Sequence, residues 1–157
     1  MTANFSWVIL DKLAGAALPG GWDYGGDRGR EQDLADLHAQ GIRCLVSLTD
    51  SASNLGPSCR SAGLIWDFYP ISEFGIPESI ESFDRLVTRI IGHMDRGQPV
   101  CVHCYAGIGR TGLVLCCTVG KYLHLPPKKA ISTVRSIRSV LETRDQERFV
   151  HRFLERS

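Results

Sequence analysis

No stretch of this chain approaches the eighteen or so consecutive apolar residues that a membrane-spanning helix requires, and its start carries no charged segment leading into a long apolar one. Neither a membrane span nor a secretory leader is expected, and the expected location is the cytoplasm. Charge of one sign is also missing: 18 Lys and Arg against 17 Asp and Glu leave a net charge of +1, with no basic block and no acidic tail. That balance gives no electrostatic footprint for a polyanion, so no nucleic-acid partner is expected. Low-complexity runs, internal repeats and linkers are absent too, and 157 residues suit one domain with one core, expected as a monomer. Cys101-x-x-Cys104 has no second ligand pair at similar spacing, so a zinc site lacks half its ligands. Neither metal nor cofactor is expected.

What is present begins with six cysteines, at 44, 59, 101, 104, 116 and 117. In a chain of this length without a leader they read as thiols rather than as a disulfide framework. Cys44, Cys116 and Cys117 lie inside apolar runs and read as small core hydrophobes. Cys101 reads as a buried strand residue, with a reversible disulfide to Cys104 after oxidation as the alternative.

Taken in order, the hydrophobic pattern alternates between strand and helix. Phe5–Leu10 and Leu13–Pro19 read as an antiparallel edge hairpin. The next stretch, 20–30, holds five glycines and reads as a loop, on which Trp22 and Tyr24 either line a substrate groove or serve as plain anchors. Glu31–Gln40 reads as a helix stopped by Gly41, Ile42–Leu48 as a buried parallel strand, and 51–63 as turns with a short helix. Leu64–Ile71 reads as a further strand and 72–76 as a loop. Pro77 is placed at the first turn of a helix reaching Arg96, whose Phe83, Leu86, Val87, Ile90 and Met94 recur at helical spacing. After Gly97-Gln98-Pro99 come a strand at 100–103 and a helix ending near Leu123. Another helix starts at Pro126-Pro127, with Ile137 inward and Arg138 on its solvated basic face. The last spans Arg144 to about Arg156 behind the capping pattern Thr143-x-x-Gln146. The fold class is α/β, a mainly parallel central sheet flanked by helices on both faces.

The informative stretch is 100–112, Val-Cys-Val-His-Cys-Tyr-Ala-Gly-Ile-Gly-Arg-Thr-Gly. A strand runs into a glycine-containing loop, and the loop into a helix opened by Arg110. Backbone N–H groups of residues 105–110 (Tyr105, Ala106, Gly107, Ile108, Gly109, Arg110) then converge at a helix N-terminus, where they and the helix dipole hold an anion without a cationic side chain. Gly107 and Gly109 permit close backbone approach, and the Arg110 fork pairs two phosphate oxygens. Cys104 lies beneath the bound phosphorus, and a thiol beside an arginine at a helix N-terminus is expected to act as a thiolate nucleophile.

The string His103-Cys104-x-x-Gly107-x-Gly109-Arg110-Thr111-Gly112, together with Asn4–Val8, Gly41–Thr49 and Glu142-Thr-x-x-Gln146, resembles the small atypical dual-specificity phosphatases of the cysteine-dependent protein tyrosine phosphatase superfamily. The resemblance implies that Cys104 attacks phosphorus, Arg110 clamps the phosphate and Thr111 steadies the leaving thiolate. It implies that His103 orders the loop and that Gln146 positions water, beside its capping role. The general acid falls at Glu73, where relatives usually carry aspartate, with Asp67 as the alternative. The implied activity is hydrolysis of phosphotyrosine, and of phosphoserine or phosphothreonine, on proteins through a phosphocysteine. The alternatives are a phosphoinositide or RNA 5′-phosphatase of the same mechanism, or a weakly active phospho-binding module.

Overall fold

The structure is a computed structural model that describes residues 2–21 and 26–156, with the backbone alone at 26–28. Trp22 and Tyr24, the aromatics expected to line a groove, lie outside the described residues. Five strands form one sheet: β1 (Ser6–Ile9), β2 (Leu13–Ala16), β3 (Cys44–Ser47), β4 (Ile65–Phe68) and β5 (Val100–His103), in the order β1-β2-β5-β3-β4. Only β1 and β2 run antiparallel; β2, β5, β3 and β4 are parallel neighbours. The edge hairpin expected at the start therefore supplies one true edge strand, β1, while β2 is sandwiched beside β5.

Every residue of β2, β3 and β5 is buried, as a parallel sheet covered on both faces demands. Alternation along each strand then sorts side chains to two cores. Cys44, Val46, Val100 and Val102 join the larger core with α3 (Ile80–Asp95), α4 (Gly109–Leu123), α5 (Pro127–Arg135) and α6 (Arg144–Glu155). Ala14, Ala16, Leu45 and Cys101 face the smaller one under α1 (Gly26–Ala39) and α2 (Gly56–Ser61). Aromatic edges hold the larger core: the Phe83 ring meets Phe149 and Phe153 at 5.0 and 5.2 Å, nearly perpendicular. Among the described residues no helix is long and apolar enough to cross a membrane.

Several boundaries differ from the sequence reading. The glycine-rich 20–30 stretch is not loop throughout, because α1 already begins at Gly26. Leu34 and Leu37 are buried on its inner side, and its Asp33 carboxylate takes the N–H of Gly20 at 2.7 Å, so tertiary anchoring overrides the poor local propensity. The strand expected to reach Ile71 stops at Phe68, although Tyr69 and Ile71 still donate to the Ser47 and Leu48 carbonyls; Pro70 between them has no N–H to continue the ladder. Pro77 does not open α3: Ser79 does, its hydroxyl accepting from the N–H of Ser82 at 3.1 Å. The expected faces of 137 and 138 are reversed, with Ile137 exposed and Arg138 buried, because α5 ends at Arg135 and helical periodicity stops with it.

Candidate functional site

Strand β5 delivers His103 and Cys104 to the carboxyl end of the parallel strands, and α4 begins at Gly109, so the intervening loop closes over Cys104, which is only 2% exposed. Each carbonyl from His103 to Ile108 accepts a hydrogen bond from the protein. His103 O accepts from Leu48 N (3.0 Å), and Cys104 O takes His103 Nδ1 (2.8 Å). Tyr105 O accepts from Leu18 N (3.0 Å), and Ala106 O from Asn4 Nδ2 (3.1 Å). Gly107 O accepts from Arg138 NH2 (2.6 Å), and Ile108 O from Gly112 N and Leu141 N (3.0 Å each). With its carbonyls committed outward, the loop has its N–H side left for the centre, the arrangement that makes an anion nest.

Two glycines are required by this shape. Gly107 has φ = 81°, and a Cβ there would lie 2.5 Å from the Ala16 carbonyl oxygen. A Cβ on Gly109 would collide with the Glu142 carboxylate and meet the Gln146 amide at 3.1 Å. Arg110 is 7% exposed, and its NH1 donates to the Ile71 carbonyl at 3.0 Å, which fixes the guanidinium plane. Thr111 is fully buried, and its hydroxyl has no hydrogen-bond partner among the described residues.

His103 sits at the end of a polar chain through the sheet. Its Nδ1 faces a carbonyl, which only accepts, so Nδ1 carries the proton and Nε2 is the acceptor. Ser47 Oγ then donates to Nε2 at 2.6 Å and itself accepts from Trp66 Nε1–H at 2.9 Å. Burial pushes the His103 pKa down to about 4, helped by the nearby Arg110 cation, and the imidazole stays neutral. The histidine thus holds the loop through the carbonyl of Cys104.

Cys101 and Cys104 are separated by the sheet: Cys101 belongs to the smaller core and Cys104 to the larger. Burial pushes the thiols of Cys44, Cys59, Cys101 and Cys116 up to about 12 and that of Cys117 well above its usual value. All six cysteines are free.

The carboxylates divide clearly. Asp67 lies within β4, paired with Arg89 of α3 through both oxygens, at 2.8 and 3.2 Å. Glu73 is exposed on a turn in which Gly75 N donates to Ser72 O at 2.8 Å. That turn is tied down at both ends. Ile71 O accepts from Arg110, and Gly75 O accepts from Gln146 Nε2 at 3.3 Å while the same amide covers Gly109. Gln146 also caps α6 with its backbone, its N–H donating to Thr143 Oγ1 at 3.1 Å. Its Oε1 takes the N–H of Glu142 (2.7 Å), one residue before the cap, so the side chain is turned toward Gly109 and the turn. A cleft of about 480 Å3, lined by Asp50, Tyr69, Ile71, Ser72, Pro77 and Ser82 among others, adjoins this turn and contains neither Cys104 nor Arg110.

Four contributors escape a sequence reading. Asn4 and Ser47 carry no local pattern. Arg138 looks like a surface cation, yet it is 6% exposed, bridges Gly107 O to Ser6 Oγ (2.8 Å) and packs where Gly15 has no Cβ. Glu142 reads as part of a helix cap, yet its carboxylate reaches Gly109. The available signals were the strings Asn4–Val8, Gly41–Thr49 and Glu142-Thr-x-x-Gln146, which carry the resemblance without stating these contacts.

The family model described as "Polymorphic toxin system, DSP-PTPase phosphatase" matches residues 20–122. Human cyclin-dependent kinase inhibitor 3 is 26% identical over 96% of this chain and 78% of its own length. Protein 067L of Invertebrate iridescent virus 3, which bears a tyrosine phosphatase name, is 27% identical over 83% of this chain, and the match spans 60% of the viral protein. Among solved structures, kinase associated phosphatase with its catalytic-site cysteine replaced by serine superposes with a TM-score of 0.83 at 26% identity, covering 98% of this chain and 94% of that one.

Proposed function

Because the chain belongs to the DSP-PTPase phosphatase family, we propose that its 157 residues form one catalytic domain that hydrolyses phosphate monoesters on proteins, phosphotyrosine first and phosphoserine or phosphothreonine second. The observation that carries this reading is the loop whose carbonyls from Cys104 to Ile108 are all taken by hydrogen bonds from the protein while Arg110 is pinned at its end. In the first step the Cys104 thiolate attacks phosphorus, the ester P–O bond breaks, and the leaving oxygen takes a proton from the Glu73 carboxyl. In the second, water attacks the phosphocysteine, gives its proton to Glu73 and expels the thiolate, releasing inorganic phosphate.

Charge builds on the transferring group in both steps, and preorganised N–H groups with the Arg110 fork stabilise it without reorganisation. The unpartnered Thr111 hydroxyl is available to the departing thiolate, and the Gln146 amide to the attacking water. Glu73 is preferred over Asp67 as the acid because Asp67 is committed to Arg89, whereas Glu73 rides on a turn joined to the phosphate loop. No step calls for a metal or cofactor, and the enzyme is read as a cytoplasmic monomer.

Turnover of a phosphotyrosine peptide in excess chelator tests this: activity is expected in the native chain and none in Cys104→Ser. Metal dependence, or full activity in the serine variant, overturns it. The second reading keeps the chemistry and changes the substrate. Tyr105, Ala106 and Ile108 place no cation inside the loop, which disfavours a highly phosphorylated inositol lipid. A panel of phosphopeptides, phosphoinositides and 5′-triphosphorylated RNA separates the two.

A further inference from the structure

The cleft of about 480 Å3 beside the turn at 72–75 takes no part in the chemistry proposed above, yet two contrasting kinds of surface build it. Its floor comes from the chain leaving β4 and from the start of α3. Tyr69 is fixed there twice, its hydroxyl hydrogen-bonded to Ser82 Oγ at 2.6 Å and its ring edge-on to Phe83 with centroids 6.2 Å apart. Phe68, Ile76 and Pro77 extend the apolar lining. The remaining surface is acidic. Asp50, at the start of the short turn after β3, and Glu78, just before α3, both line the cleft, and no described Lys, Arg or His does. Other carboxylates of the chain are matched by cations: Asp67 by Arg89, Asp84 by Lys121 and Arg156, Glu147 by Arg135. Asp50 and Glu78 have no ion-pair partner among the described residues.

We propose that this cleft is a specificity site that takes a basic side chain, arginine or lysine, of the phosphoprotein substrate, within about two residues of the phosphorylated one. This rests on the phosphatase reading above and names the sequence context preferred within it. The chemistry of the lining gives the reason. A long cation lays its methylenes along apolar surface and brings its charge to carboxylates and to the face of an aromatic ring, and the cleft offers all three. Its place gives the reach. Ile71 lines the cleft, and its carbonyl holds Arg110 at 3.0 Å, so the phosphate loop and the cleft share a wall. A phosphorylated residue seated in the loop therefore sets its chain neighbours beside the cleft.

The test uses the full chain carrying Cys104→Ser, so that binding is read without turnover. The probe is a phosphotyrosine peptide with neutral flanks, into which arginine, leucine or glutamate is placed at each of the two positions on either side. Arginine on one side is expected to tighten binding about three- to tenfold over the neutral peptide, and glutamate there to weaken it. Asp50→Asn combined with Glu78→Gln is expected to abolish that gain and to leave the neutral peptide within about twofold. Glu155→Gln, a charge change at the far end of α6, is expected to keep the gain. No gain from arginine at any position, a gain that survives the double variant, or a larger gain from leucine overturns the proposal. If the serine variant binds no phosphopeptide and the native chain turns over none, the phosphatase reading itself falls and this inference with it, a result distinct from loss of the arginine preference alone.

Discussion

Two neighbouring segments of this protein are built on opposite principles. The loop after β5, 104–110, is locked from outside: His103, Leu18, Asn4, Arg138 and Leu141 all donate to its carbonyls, and Gly107 fits only because it lacks a Cβ. The turn at 72–75 is exposed at Glu73 and Phe74 and is held at its two ends, by Arg110 of the loop on the Ile71 carbonyl and by Gln146 of α6 on the Gly75 carbonyl. The difference tells where rigidity is needed. A nest for a developing charge works because its dipoles are already in place, whereas a proton donor only has to reach the leaving oxygen. Changes in the loop are therefore expected to lower stability and activity together, and changes in the turn to alter kinetics with little effect on stability.

The largest loss is expected for Gly107→Ala. The new methyl meets the Ala16 backbone, which cannot move aside as a flexible side chain does, and φ = 81° is unfavourable for alanine. Together these cost about 3–5 kcal/mol, read from urea unfolding, with turnover lost in whatever folds. A near-normal midpoint would mean that the loop is not locked. Next comes Arg138→Ala, which leaves the Ser6 hydroxyl without its donor and the Gly107 carbonyl with only the longer bond from Asn4 Nδ2 at 3.4 Å, and opens space over Gly15. About 2–4 kcal/mol is expected, with kcat falling more than KM changes, because the nest is loosened rather than removed. An effect on stability with unchanged kcat would show that the loop keeps its shape without this clamp.

His103 ties the same loop to pH. Its pKa is about 4 when folded against 6.5 when free, so between these values the unfolded chain binds the proton more readily and stability falls as the solution is acidified. The contribution is complete above pH 6.5 and is lost as the pH drops through 4, amounting to at most about 3 kcal/mol. The unfolding midpoint of the native chain should therefore decline faster over that range than that of His103→Asn. Parallel pH dependences for the two would refute a buried neutral imidazole.

The smallest effect on stability is expected at Glu73→Gln, under about 0.5 kcal/mol for an exposed side chain. Its effect on chemistry is selective. Turnover of phosphotyrosine should fall by about 10²-fold, while an activated aryl phosphate, whose leaving group needs no proton, should barely respond. The alkaline limb of the pH–rate profile should flatten. Full activity toward phosphotyrosine in Glu73→Gln, with loss in Glu142→Gln, would move the acid to the carboxylate over Gly109.

Much of this molecule was legible in the chain because its key parts are local. The string from Val100 to Gly112 contains a strand, a turn and a helix start within bonding distance of one another, and β5 and α4 appear where the pattern puts them. The α6 cap is equally local, Thr143 Oγ1 accepting from Gln146 N. Where the reading erred, a distant partner decided. The first turn of α1 forms in a glycine-rich stretch because the helix is anchored further along, by buried Leu34 and Leu37 and by Asp33 on Gly20.

The sequence by itself determined the α/β class and the strand, loop and helix start that carry Cys104 and Arg110, since these follow from periodicity, glycine placement and covalent proximity. Only the tertiary structure decided which carbonyls of that loop are held, and by what. Asn4, Leu18 and Arg138 reach it across the fold, and no spacing along the chain encodes a contact made between residues 31 to 103 positions apart. The same holds for Arg138 itself. As a cation after a basic helix it has every local mark of a surface residue, and it is buried because Gly15 leaves room for it and two acceptors, Ser6 Oγ and Gly107 O, converge on its fork.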